Sequence, residues 1–590
     1  MKTADQIQPA ADRFYSRSGD KALYIRSVKK IRFKGGYEMK FRKTAVLLMT
    51  LTLLVSACGK GDKEPETSTA PSVTKGAQEA APSDPFSKFS QPITLSIGKG
   101  ISAKGTNLPN GDTVENNEYF RYIEKKLNVK VKFAWQTETE EAYQQKLSVS
   151  IASRDIPDAF LVNEKQLKQL TEADLIADLT DVYEKLASPL IKGYYDSYED
   201  RVLKRGTING KLMGLPSTKI SGQHSLTWIR QDWLEKVGME TPKTLDDLVA
   251  VAKAFVEKDP DGNGQKDTVG LTSIPDLSTY EGKSNFSPIL GSLHAYKGQW
   301  MKDKSGNVSY SSILPEMKTA LAKLSDLYAA GIIDKQFAIR KDVNELGAAG
   351  KLGIVLEPWW SPYGSPLTDS VKNDPKAEWK AYSVPVDADG KFNTYDTDPA
   401  GSYLVVRKGY EHPDAVMKIL NVQTQAGRML DPDAKDIYKG LNVGWWVWPF
   451  ALNLDTEDAV FRTHSELKSA WEAKDPSKLN TELTNWYNAV KKNDENPKKD
   501  LAAWSEVMAR MEGAAQTDPA NFVVTRNVFF GQTKTMELKW SILQKLENET
   551  FLKIVMGEEP VDKFDSFVAE WKRLGGDQIT KEVEQAIKKQ

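Results

Sequence analysis

Ile93-Thr94-Leu95-Ser96-Ile97 alternates apolar and polar residues, and Val129-Lys130-Val131-Lys132-Phe133-Ala134-Trp135 does so again. Between them, Asn117–Leu127 sets Tyr119, Phe120 and Ile123 on one side at helical spacing. A period of two, then about 3.6, then two predicts strand, helix, strand. Downstream, Ala159–Val162 reads as a short strand and Asp181–Leu186 as part of a helix. Strands alternating with helices predict α/β layers rather than an all-β module. A second block opens near Ser225, where Leu226–Ile229 is a strand and a helical segment surrounds Trp233 and Leu234. Thr244 then caps a helix, answered three residues on by Asp247, with Leu245, Leu248, Ala252 and Phe255 following at helical spacing. Gly353–Leu356 and Tyr403–Val406 are two more buried-strand candidates. Beyond Asp414 the pattern is mostly amphipathic helix, ending on a stripe of Phe564, Phe567, Val568 and Trp571. The reading is two α/β lobes with a helical C-terminal addition.

The chain has 590 residues, enough for two or three domains. Its formal charge of −1 hides an asymmetry: residues 1–57 carry a net +8 and the remainder a net −9. An acidic body is a poor binder of polyanions, which argues against nucleic acid as a partner. One cysteine and four histidines exclude a disulfide framework and a Cys/His zinc cluster.

From Met39, Lys40, Arg42 and Lys43 precede the weakly polar-to-apolar run Thr44–Val55, too short to span a bilayer and shaped like the core of a signal peptide. The run ends in Val55-Ser56-Ala57-Cys58, which matches the bacterial lipobox. That resemblance implies a diacylglycerol on Cys58, which becomes the first residue of the mature chain, and two acyl chains anchor stably. The expected organisation is a signal peptide at 39–57 and a disordered Gly/Ser/Thr/Ala/Pro-rich tether at 58–91. Residues 1–38 fit no signal peptide. Lys34-Gly35-Gly36 would be encoded by purine-rich codons resembling a ribosome-binding site, so Met39 is the expected start.

Several phrases carry a family resemblance. Ala152-Ser153-Arg154-Asp155-Ile156-Pro157-Asp158-Ala159, Asn209-Gly210-Lys211-Leu212-Met213-Gly214-Leu215-Pro216 and Trp228-Ile229-Arg230-Gln231-Asp232-Trp233-Leu234 occur in order. Tyr403-Leu404-Val405-Val406-Arg407-Lys408 and Leu546-Glu547-Asn548-Glu549-Thr550 follow. The set resembles extracellular solute-binding proteins of family 1, the carbohydrate receptors of ABC importers, and especially their long Gram-positive lipoproteins. Arg154 departs from the glycine usual there. The resemblance implies a type II periplasmic-binding-protein fold whose lobes close on ligand, with hinge crossings near Pro216–Gln223 and Thr397–Ser402. It places residues 92–221 and about 400–425 in the first lobe, and 222–399 and about 426–590 in the second. It further implies a monomer that takes an oligosaccharide ligand, hands it to ABC-transporter permease subunits and does no chemistry.

Asp259-Pro260-Asp261-Gly262-Asn263-Gly264-Gln265-Lys266-Asp267 follows the EF-hand rhythm: side-chain oxygens from Asp259, Asp261 and Asn263, a turn at Gly264, the Gln265 carbonyl, then Asp267. The twelfth position is Gly270 instead of a bidentate glutamate, which excludes a true EF-hand. Relatives that this segment resembles carry an EF-like loop here, implying structural calcium; the alternative is a plain polar turn. The acidic turn Asp431–Asp436 lacks the glycine and reads as an ordinary turn.

A sugar offers an apolar C–H face and a rim of hydroxyls, so its receptor needs flat aromatic platforms and polar donors and acceptors. Among fifteen tryptophans, Trp359-Trp360 leaves a predicted strand and Trp445-Trp446 sits in a Gly/Pro-bounded loop. The family implies a sugar-stacking tryptophan at the strand exit, carried over to Trp359 or Trp360. Two neighbours cannot face one way in a strand, so at most one of each pair lines the cleft. Trp233, Trp540 and Trp571, on helical stripes, read as core. Arg230, Glu357 and Asp398, at strand ends or the hinge, are the polar candidates, with surface salt bridges as the alternative. His224, His294, His412 and His464 are scattered, and no nucleophile elbow or Walker loop occurs. Gly98-Lys99-Gly100 echoes a dinucleotide fingerprint and is read as a first-lobe cleft loop that needs no side chain. The competing function is a surface glycoside hydrolase or lyase using carboxylates that no motif singles out.

Overall fold

The strands Ile93–Gly100, Val129–Thr137 and Ala159–Val162 form in the predicted places and pair in parallel, and Tyr403–Val406 joins them antiparallel. With Leu215–Pro216 they make the five-stranded sheet of the first lobe. Its two faces bury separate cores: Leu404 and Val406 face one, Tyr403 and Val405 the other, as a period of two requires. The helix Glu118–Leu127 starts where Asn117 accepts from the Tyr119 and Phe120 amides, and buries Tyr119, Phe120 and Ile123. These elements come from a computed structural model describing residues 84–588, apart from 103–105, 107, 110, 280–283, 304, 435 and 439–442. All belong to the unit Glu79–Gln590. The expected signal peptide, Cys58 and the expected tether up to residue 83 lie outside the described residues.

The second lobe is built on Leu226–Arg230, flanked antiparallel by Ile354–Glu357 and Trp379–Tyr382. Thr244 and Asp247 form the predicted capping box on the helix Leu245–Glu257. The C-terminal helices Lys534–Val555, Lys563–Trp571 and Asp577–Ile587 complete this lobe's core with Leu543, Phe551, Phe564, Phe567 and Trp571. Trp233 and Trp571 are buried as expected, and Trp540 packs beside Trp300.

Three extended segments cross between the lobes. The Ser217 amide donates to the Ser402 carbonyl at 2.7 Å and that of Lys219 to Pro399 at 2.9 Å, which sets the two predicted crossings side by side. A third crossing lies on their other flank: the Thr218 amide donates to Asn453 at 2.9 Å and the Ser221 amide to Glu457 at 2.8 Å. The chain therefore does not leave the first lobe near residue 425. Val447, Trp448, Phe450, Leu452 and Leu454 are buried in the first core, and the crossing follows them.

The expected tether also ends earlier than residue 91. Lys418 donates to the Ser87 carbonyl at 3.0 Å and lies over the Phe89 ring, while Asn421 holds the Pro85 carbonyl at 3.1 Å. The buried Lys418 ammonium makes its hydrogen bonds to this segment alone, so 85–89 is docked on the first lobe.

Candidate functional site

The hinge floors the space between the lobes. Residues 217–220, Gln223, Gly401, Ser402, Ala451 and Asn453 line an open hollow of about 340 Å³. It shares Ile220 and Asn453 with a larger cavity of about 530 Å³, within the size range of small-molecule sites. First-lobe Tyr194 and Arg428 wall that cavity on one side, and Trp359, Trp486 and Arg510 on the other.

Trp359 and Trp360 follow the strand Ile354–Glu357, and the turn there sends them different ways. Trp359 is 5% exposed, sits in the core with Trp228 and Trp504, and shows an edge to the cavity. Trp360 is half-buried and donates from Nε1 to Gln223 Oε1 at 2.8 Å, which ties the second lobe to the hinge. Trp446 is 41% exposed and faces Gly100–Ser102 and Glu138–Glu140 across a hollow of about 330 Å³. The Trp445 side chain lies outside the described ones.

The Gly98–Gly100 turn does use a side chain. Lys99 is buried and donates to the carbonyls of Trp448 (2.5 Å) and Pro449 (3.3 Å), so it fastens the segment leading to the third crossing. Burial pushes its ammonium down to about 7.

The structure does not bring the three polar candidates together. Arg230 is 3% exposed, at the end of its strand remote from Glu357. It grips Asp232 through two bonds (2.8 and 2.6 Å), reaches Asp374 at 2.9 Å and lies over Trp233, which fixes structure within the second lobe. Asp398, on the return crossing, takes two bonds from Arg205 (3.3 and 2.8 Å), and Arg205 also holds Glu164 at 2.6 Å. That bridge ties the hinge to the first lobe.

Glu357 is buried and accepts from Ser284 at 3.0 Å and Ser361 at 2.8 Å, pinning a loop beneath the tryptophan pair. Burial raises its carboxyl from 4.5 to about 7. The folded chain therefore binds more protons than the unfolded one between about pH 4.5 and 7, and stability falls as pH rises through that window. The penalty above the window is about 3 kcal/mol. Glu357→Gln, which can still bond both serines, should raise the urea midpoint at about pH 8 and leave it nearly unchanged at about pH 4.5. Equal midpoints for both proteins at both pH values would contradict this.

Sequence reasoning missed Trp486 and Arg510. The Arg510 guanidinium lies over both indoles, 3.7 Å from the Trp486 ring centroid and 4.8 Å from that of Trp359. Its Nε donates to the Tyr363 hydroxyl at 3.0 Å, and Tyr363 donates to Glu506 at 2.6 Å. Across the cavity, Arg428 donates to Asp455 Oδ2 at 2.6 Å and stands 4.0 Å from Glu482.

In the Asp259–Asp267 loop, Asn263 donates to Asp261 at 2.8 Å and Asp267 at 3.1 Å, and the Gly264 amide to Asp259 Oδ2 at 2.9 Å. Asp259 Oδ1 is enclosed with no donor. Burial, and then the adjoining Asp259 carboxyl, push Asp261 up. A donorless carboxylate oxygen beside a carboxyl reluctant to ionise fits a hard cation. Against a closed cage, Lys351 occupies Asp267 at 3.1 Å. A Cβ at Gly270 would come within 2.7 Å of the Ile332 carbonyl, so no side chain can complete the loop there. Among the described residues no three His, Cys, Asp or Glu side chains form a ready metal cluster. The turn at Asp431 is explained without metal, because Asp431 pairs with Lys126 at 2.9 Å.

Two α/β lobes, three hinge crossings and a cavity walled from both sides define a two-lobed solute receptor. The chain belongs to the bacterial extracellular solute-binding proteins, whose family model matches residues 115–429. Lipoprotein LipO of Bacillus subtilis is 30% identical over 40% of this chain, a match that takes in 45% of LipO. The polygalacturonan/rhamnogalacturonan-binding protein YtcQ of the same species is 24% identical over 79% of this chain and 87% of its own length. Among solved structures, an EF-hand mutant of the Streptococcus pneumoniae ABC-transporter substrate-binding protein FusA, in complex with fructo-nystose, superposes with a TM-score of 0.56. It is 16% identical, over 84% of this chain and 99% of that one, a likeness of fold. The family binds solutes outside the cell and does not convert them, which removes the ground for the hydrolase reading.

Proposed function

We propose that this chain is the lipid-anchored receptor of a carbohydrate ABC importer, capturing an oligosaccharide between its lobes and delivering it to membrane permeases. The observation that carries the reading is the cavity of about 530 Å³ beside the hinge, walled by indoles, arginines and amides from both lobes. An indole ring suits the apolar face of a sugar, and Asn453, Asn480 and the charged groups suit its hydroxyls. YtcQ and FusA, whose names and complexes are of oligo- or polysaccharides, support the ligand class. Cys58 carries the anchor, a monomer is the working unit and nucleic acid is no partner. The Asp259–Asp267 loop holds a structural calcium ion through Asp259, Asp261, Asn263, the Gln265 carbonyl and Asp267. It fastens the end of the helix Leu245–Glu257 to the rest of the second lobe. The EF-hand of FusA supports that assignment.

Melting curves with a panel of oligosaccharides test both parts. A ligand at a hundred times its Kd stabilises by about 2.7 kcal/mol. One or more saccharides should raise the melting temperature with no product sugar formed, and stripping calcium with a chelator should lower it. Product sugars would end the receptor reading, and a melting curve indifferent to chelator and added calcium would end the metal assignment.

A further inference from the structure

One donor group on the cavity wall, the Arg510 guanidinium, is left without a hydrogen-bonded carboxylate. Of the carboxylates lining the cavity, Asp455 is spent on Arg428 at 2.6 Å, and Glu482 faces the same arginine at 4.0 Å. Arg510 has no hydrogen-bonded carboxylate: Glu506 stands 3.9 Å from Nε and already accepts from Tyr363, and Glu482, shared with Arg428, acts on it only through space. The two terminal nitrogens of Arg510 make no hydrogen bond among the described residues. A sugar hydroxyl brings a donor along with its acceptor, whereas a carboxylate brings acceptors only. The two indoles Arg510 lies over restrict its guanidinium and shield part of it from water, so it presents a two-pronged edge suited to a planar carboxylate.

Resting on the receptor reading above, we propose that the cavity selects an acidic oligosaccharide, one bearing uronate carboxylates, and that Arg510 takes the carboxylate. Trp359 and Trp486 then serve to orient the guanidinium as much as to meet a sugar face.

The test is calorimetric titration of the purified full chain with an oligogalacturonate, with its fully methyl-esterified form, and with a sulfated oligosaccharide of the same length. A hydrogen-bonded carboxylate–guanidinium pair discriminates by about ten- to a hundredfold. The wild type should bind the free acid tighter than the ester by that factor, and tighter than the sulfated chain. Arg510→Gln should bring the acid-to-ester ratio close to one, and Arg510→Lys, which keeps charge without the fork, should restore part of it. Equal binding of acid and ester by the wild type overturns the proposal, and that comparison needs no variant to fold. A ratio unchanged in Arg510→Gln, or a preference for sulfate, overturns it too. Binding of neutral saccharides alone defeats this inference and leaves the receptor reading standing; binding of no saccharide defeats both.

Discussion

Trp359→Ala is expected to destabilise the protein by about 3–5 kcal/mol, the range for truncating a large aromatic in a core. The side chain is 5% exposed and packed in the second-lobe core with Trp228 and Trp504, so truncation forfeits those contacts. The backbone below it is equally confined. A Cβ on Gly513 would come within 2.5 Å of the Trp359 carbonyl, so the segment carrying Arg510 lies directly against this strand exit. Truncation therefore removes one face of the Arg510 stack as well as core volume. Trp360→Ala should cost far less, about 1 kcal/mol for one hydrogen bond to Gln223 and a half-buried ring. Urea unfolding of the two variants separates the roles. Equal midpoints would mean that Trp359 is not a core residue.

Cys58→Ala is expected to move the protein from the membrane into the medium almost completely. One acyl chain binds only marginally and two anchor stably, so if Cys58 carries the proposed diacylglycerol its loss removes the whole attachment. Nothing electrostatic replaces it: the chain after residue 57 carries a net −9, and an anionic leaflet repels it. The released protein should show the same saccharide-induced rise in melting temperature as the anchored one. Undiminished membrane retention of the variant would contradict lipidation at this residue.

Local chemistry was legible in the sequence, and long-range pairing was not. Ala159–Val162 and Tyr403–Val406 could be read to the residue because both are short buried runs with turn chemistry at their ends. The helix after Thr244 was legible from its capping box. The third hinge crossing, Asn453–Glu457, has no periodicity, since its hydrogen bonds go to Thr218 and Ser221, far away in the chain. Asp374, the second partner of Arg230, stands 144 positions away, so only the fold shows that this arginine is buried in a salt bridge rather than open to ligand. Trp486 sits on a helix whose buried residues are Leu483, Tyr487 and Val490, so its spacing reads as core. Only the fold carries it to the cavity and sets Arg510 on its face.

Small-angle scattering of the purified protein with and without a bound saccharide tests the central claim most directly. A saccharide that raises the melting temperature should also shrink the radius of gyration, as lobes pivoting about the Ser217–Gln223, Pro399–Ser402 and Asn453–Glu457 crossings shut around it. An unchanged radius at saturating ligand, for every saccharide that binds, would contradict the account.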